Sequence, residues 1–289
     1  MRNAVVVIAN DVEKFYALIN NLPTELKSCV IIAICEEKIG TDISKFNKIL
    51  EYSDVVEHYK VIGSSKIIEL LKSTVVDTKF VDDYTMGTNI LATWYILKVG
   101  KGIGKILLID DDIILNKGVI ELFNGGCKFA IDSLRKAKKN AKISDKQLNL
   151  IKEFYRVFEL KYNLCAYFDN YINGGHKLIS LDMCDLGLYE RCLYRFYSSD
   201  IIYKEYWQQR SRYTSWCLDE IFEAFYFRKL GLINDELHNN RNLRMLVHKS
   251  EKITDGTLRN NINYKIVHIC NNHEKEKAYE RMKKLGVIK

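Results

Sequence analysis

Aspartates occupy positions 110, 111 and 112 in succession. Carboxylates this close raise one another's pKa unless a cation neutralises them. In an extended chain alternate side chains share a side, so Asp110 and Asp112 point one way and Asp111 the other. A pair of hard oxygen ligands suits Mg²⁺ or Mn²⁺, ions that also bridge to a diphosphate. An acidic turn open to solvent would need no ion. The apolar runs at 106–109 and 113–115 on either side of the cluster place it against a core instead.

Something must hold these acids in place. Residues 4–9 form a short β-branched run that reads as a buried strand, followed by helical periodicity over 13–22 that stops at Pro23. Residues 28–35 and 55–61 read as further strands, and 42–52, 64–72 and 88–99 as helices; glycines at 100, 102 and 104 end the last of these. The strand at 105–109 is continuously apolar and runs straight into the carboxylates. Strands alternating with helices imply an α/β fold with a mostly parallel sheet. Ligands of such sheets gather beyond the carboxyl ends of the strands, which is where residues 110–112 fall.

Composition sets the outer bounds. Hydrophobic residues make up 47% of 289, enough for one sizeable core, and 44 basic against 37 acidic residues leave a net charge of +7. That balance permits a polyanionic partner without requiring one. The eight cysteines include no Cys-x-x-Cys spacing and lie mostly among apolar residues, as reduced thiols do in cytosolic proteins. The opening apolar run ends at Asn10 and Asp11, without signal-peptide form, and no window approaches the ~18 apolar residues of a membrane span. A cytoplasmic protein with no transmembrane segment is expected, built as a single domain over 1–289. Residues 1–115 would form its nucleotide-binding half, and 116–289 an acceptor-side half with a helical insertion at 132–165 and a C-terminal tail.

The segment Leu107-Leu108-Ile109-Asp110-Asp111-Asp112-Ile113-Ile114-Leu115 resembles the Asp-x-Asp segment of GT-A glycosyltransferases. It is most similar to the family that contains glycogenin and the bacterial lipopolysaccharide glucosyl- and galactosyltransferases. The resemblance implies a GT-A (Rossmann-like) fold in which Asp110 and Asp112 bind a metal on the sugar nucleotide's diphosphate and Asp111 lies near the ribose. Tyr171-Ile172-Asn173-Gly174-Gly175-His176 is similar to the family's Phe-Asn-Ala-Gly-Val strand. An amide at Asn173 both donates and accepts, and Gly174 and Gly175 let backbone approach a sugar closely. Trp216-Cys217-Leu218-Asp219-Glu220-Ile221 looks like the family's helix carrying Asp-Gln-Asp, which makes Asp219 and Glu220 the candidate catalytic residues. A carboxylate there can act as general base in an inverting enzyme, or stabilise an oxocarbenium-like transition state in a retaining one. Tyr264-Lys265-Ile266-Val267-His268 has the form of the family's last strand, whose histidine completes the metal shell; His248 is its rival. Lys275 is placed to meet the diphosphate as a point charge. The family's Pro-Trp after that histidine and its arginine in the helix before the metal strand are both missing from this chain.

The resemblance therefore implies a hexosyltransferase using Mn²⁺ or Mg²⁺ and a nucleoside-diphosphate sugar, a UDP-sugar first among them. Two stretches could meet the acceptor. Residues 133–142 carry Arg135, Lys136, Lys138, Lys139 and Lys142 with no acid, and residues 191–216 interleave Arg191, Arg195 and Arg210 with Tyr194, Tyr206 and Trp207. Aromatics beside cations suit stacking on sugars or bases while phosphates are neutralised. Base-modifying glycosyltransferases also use GT-A-like folds. The acceptors to weigh are thus a glycan, a lipopolysaccharide core and a hydroxymethylated DNA base, the last presented by flipping. Other functions compete: a metal-dependent nuclease, a silent nucleotide-sugar-binding protein, and a nucleotidyltransferase. The last would want a glycine-rich phosphate cradle after the first strand, and residues 9–14 contain no glycine.

Overall fold

The computed structural model describes residues 1–37, 41–77, 88–132, 144–164, 171–204, 218–234, 236–239, 243–247, 264–269 and 275–286. Strand β1 (Arg2–Ala9) is followed by α1 (Val12–Asn20), β2 (Val30–Cys35), α2 (Ile43–Glu51), β3 (His58–Gly63), α3 (Ser64–Thr74) and α4 (Thr88–Val99). Then come β4 (Ile103–Asp110), β5 (Ile113–Leu115), β6 (Lys128–Asp132), α5 (Asp145–Val157), β7 (Tyr171–Ser180), α6 (Leu186–Tyr197) and α7 (Leu218–Lys229). Two short strands, β8 (Arg244–Val247) and β9 (Ile266–Ile269), precede α8 (Lys275–Lys284).

The main sheet has the order β3-β2-β1-β4-β7-β6. Its first four strands are parallel, and β7 and β6 run antiparallel to their neighbours. The expected α/β fold with a mostly parallel sheet is what forms. β1 and β4 are covered on both faces, so they are apolar without alternation. Ala4, Val6, Ile8, Ile106 and Leu108 pack against α3, α4, α6 and α7. Val5, Val7, Leu107 and Ile109 pack with Phe15, Leu18, Phe46 and Leu50 of α1 and α2 on the other side.

β3 begins at His58 rather than at Val55, because it is the edge strand. His58, Tyr59 and Lys60 are exposed, so the strand's first half carries no apolar signal, while Val55 and Val56 pack before it starts. The strand expected at 264–268 forms as β9, but it belongs to a second sheet, β5-β9-β8, whose strands of three or four residues are too short for a period to show the sheet beforehand. Ile114, Val267 and Ile269 from this sheet pack on Ala278 and Met282 of α8. Helix α5 lies within the expected 132–165 insertion; the basic run at 133–142 falls outside the described residues. No described helix is long and apolar enough to cross a membrane.

Candidate metal and donor site

The chain leaves β1 toward β2 on one side, and β4 lies on β1's other side, so the switch in strand order falls between β1 and β4. A crevice opens at the carboxyl ends of such a pair. Ile8 is the register partner of Asp110 there. Beyond Asp110 the backbone turns out of the main sheet through Asp111 and Asp112 and enters the second sheet at Ile113. The aspartates therefore sit at the junction of the two sheets.

That junction recruits a histidine from far along the sequence. Ile113 pairs with His268 across β5 and β9, and the Ile269 amide donates to the Asp112 carbonyl at 3.4 Å. Asp110, Asp112 and His268 each offer one ligand atom, all within 4.8 Å of one another. His268 Nε2 lies 3.5 Å from Asp112 Oδ1. Both residues are buried, at 8% and 6% exposure, where charge is costly without a counter-ion. Two carboxylate oxygens and one imidazole nitrogen are a donor set that Mn²⁺ and Mg²⁺ accept, the nitrogen suiting Mn²⁺ better.

Asp111 does a different job from its neighbours. Its Oδ2 accepts the backbone N–H groups of Asn10 at 2.6 Å and Asp11 at 2.8 Å, tying β4 to the end of β1. Asp11 in turn caps α1, its Oδ1 accepting from the amides of Glu13 and Lys14. Burial pushes the Asp111 carboxyl up to about 6; the two amides pull it down and Asp112 adds to the rise.

β7 and α7 close the other side. Gly174 N–H donates to Glu220 Oε1 at 2.6 Å in the interior. At Gly175 a Cβ would stand 2.3 Å from His268 Cε1 and 2.8 Å from its Nε2, so any side chain there would displace the histidine. The close approach that glycine permits here is to a metal-ligand candidate. His176 is fully buried, and its ring meets that of His268 edge-on with centroids 5.4 Å apart. Of the other site candidates, Asn173, Asp219 and Lys275 have their backbones in β7, α7 and α8, and their side chains lie outside the described residues; so does the whole of His248. Of the aromatic stretch at 191–216, the part through 204 is described. Phe196 and Tyr197 are core, Tyr194 is exposed, and Arg195 pairs with Glu159.

One neighbour went unforeseen. Tyr279 of α8 lies close enough to the acids that Asp112, Asp111 and Asp11, after burial, hold its phenol above the usual range. Tyr279 also packs on the second sheet beside Ala278 and Met282. The helical spacing of 278, 279 and 282 was the available signal, but it could not say which sheet the helix covers.

No family model matches the sequence, and no curated protein sequence matches it. Solved structures do. The apo structure of mouse xyloside xylosyltransferase 1 superposes over 94% of this chain and 99% of its own, with a TM-score of 0.52 at 11% identity. The apo structure of the bifunctional glycosyltransferase WbbM does so over 97% of this chain and 49% of its own, with a TM-score of 0.52 at 9% identity. At such identities the likeness is one of fold, and the fold is that of the GT-A glycosyltransferases.

Proposed function

We propose that the chain is a metal-dependent glycosyltransferase that moves a sugar from a nucleoside-diphosphate donor to an acceptor hydroxyl. The observation that carries this reading is the meeting of Asp110, Asp112 and His268 within 4.8 Å at the strand-order switch of a GT-A fold. A divalent cation held there would supply Lewis-acid stabilisation to the departing diphosphate. In the reaction the bond from the anomeric carbon to the diphosphate oxygen breaks, its electron pair leaving with the diphosphate. A bond from the acceptor oxygen to that carbon forms, and the acceptor's proton goes to a base.

Within this reading the chain's own groups divide the work. Asp111 and the loop amides of Asn10 and Asp11 shape the crevice beside the metal cluster. Glu220, buried and hydrogen-bonded to Gly174, and Asp219 beside it are the carboxylates for proton transfer or oxocarbenium stabilisation. Asn173 and the Gly174–Gly175 backbone would meet the donor sugar, and Lys275 the diphosphate. UDP-sugars come first as donors, and the acceptor is a glycan, a lipopolysaccharide core or a hydroxymethylated base in DNA.

Calorimetry with Mn²⁺ and uridine or guanosine diphosphates tests the reading. Metal-dependent binding is expected, weakened at least 100-fold in Asp112→Ala with the fold retained by circular dichroism. Absence of binding for every diphosphate in the presence of Mn²⁺ would overturn it.

A further inference from the structure

Beneath the donor site lies a polar island that the chemistry above does not use. Lys177 of β7 and Glu223 of α7 form an ion pair in which both side chains have no exposure. Thr93 of α4, equally buried, donates its hydroxyl to Glu223 Oε1 at 2.8 Å. Tyr189 of α6 completes the surroundings. Its phenol is raised well above the usual range by burial and by the Glu223 charge, and its hydroxyl donates to the Ile90 carbonyl at 3.1 Å. Phe222 and Tyr226 stack edge-on against the Tyr189 ring, so the island is enclosed by aromatics.

Burying two charges in such a setting carries a desolvation penalty, and well-packed apolar residues often replace such a pair with no loss of stability. What a buried pair supplies is geometry: one arrangement satisfies it and shifted arrangements do not. Its placement relative to the site is specific. Glu220 and Glu223 stand one helical turn apart on the same face of α7. They grip two points three residues apart on β7, the Gly174 amide and the Lys177 ammonium. Three residues span about 4.5 Å along a helix and about 10 Å along a strand. The long lysine stem makes up the difference. Two attachments fix both the sliding and the rotation of α7 over β7. Sliding by one residue, about 1.5 Å, would break both.

Resting on the transferase reading, we propose that Lys177 and Glu223 are positioning residues for the donor site. Their pairing sets the register of α7 on β7, which keeps the Glu220 carboxylate on the Gly174 N–H. Neither residue touches the donor; both act through Glu220 and Gly174.

The test uses the full chain labelled with ¹⁵N-glycine, whose 15 glycines give a readable amide spectrum. A charge-assisted hydrogen bond moves the donating amide proton downfield, so Glu220→Gln identifies the Gly174 resonance by shifting it upfield. The informative variant is K177M/E223L, which removes both charges at similar volume. If the pair positions Glu220, this variant folds, binds Mn²⁺ within about twofold of wild type, and moves the Gly174 resonance at least halfway to its Glu220→Gln position. Its kcat falls about 10- to 100-fold while the donor KM changes less than about threefold.

A folded K177M/E223L with the Gly174 resonance at its wild-type position would overturn the proposal, since the pair would then be a packing feature. K177M/E223Q, which retains an acceptor for Thr93, is judged by the same criteria. Failure of both variants to fold would assign the pair to stability and likewise overturn positioning. The spectrum needs no turnover. If wild type transfers and hydrolyses no sugar nucleotide while the Gly174 shift still follows the pair, the positioning role stands and the transferase reading falls.

Discussion

Strands β4 and β7 are neighbours in one sheet and are buried alike, yet they are written in different chemistry. Through Ile106, Leu107, Leu108 and Ile109, β4 is apolar and has no exposure. Beside it β7 carries His176 and Lys177, also without exposure, opposite Ile109 and Leu108. An apolar strand is held by whatever covers it. A strand with buried polar groups must find a particular partner for each, and those partners come from α7 and β9. β4 is thus a platform that delivers the aspartates at its end, whereas β7 ties distant segments to the site through its own length. Tolerance to substitution should differ accordingly.

The largest effect that would sharpen this contrast is expected from Lys177→Met. The change leaves Glu223 buried without its cation, which should cost about 3–5 kcal/mol, read as a fall in the urea midpoint. A loss below 1 kcal/mol would remove the distinction between the two strands. Next comes Gly175→Ala. Its Cβ would stand 2.3 Å from His268, so Mn²⁺ affinity should fall about tenfold by calorimetry with little change in circular dichroism, a steric displacement of one of the three proposed ligands. On the platform, Ile106→Val removes one buried methyl group and should cost about 0.5–1.5 kcal/mol. Its Mn²⁺ affinity should match wild type, and a shift in that affinity would mean that β4 is more than a platform.

The smallest effect concerns the thiols of the parallel half. Burial raises Cys29 to about 11 and Cys35 to about 12, the charge of Glu37 adding to the latter, from an ordinary 9.0. Both are acids made weaker by folding, so the folded state favours their protonated forms. Their contribution to stability holds below pH 9 and is lost as pH climbs toward 11. At pH 8 peptide mapping after iodoacetamide treatment should find both unmodified in native protein and modified in urea.

Much of the platform was legible beforehand. β-branched runs bounded by polar residues marked β1, β2 and β4, because strands covered on both faces are apolar throughout. The aspartates declared themselves through an electrostatic cost that only a cation or a close partner removes. Edge strand β3 was shifted and the short β5 and β8 were missed, since exposure and brevity erase the periodic signal; β9 was expected only through the resemblance of 264–268. In β7 the residues Asn173, Gly174 and Gly175 stood out, but Lys177 did not. A lone lysine among Leu178 and Ile179 reveals nothing of a glutamate 46 residues later.

Asp110, Asp111 and Asp112 show where the division falls. Their types, adjacency and place after an apolar strand were sufficient to predict a cation site at the carboxyl end of a sheet. Their separate surroundings come only from the turn that carries the chain from one sheet into another. That turn gives Asp111 to the amides of Asn10 and Asp11, and brings Asp110 and Asp112 to His268. The physical reason is distance along the chain. Repulsion between adjacent charges is local and can be read from neighbours, whereas the histidine that joins them arrives through the pairing of β5 with β9 more than 150 residues away.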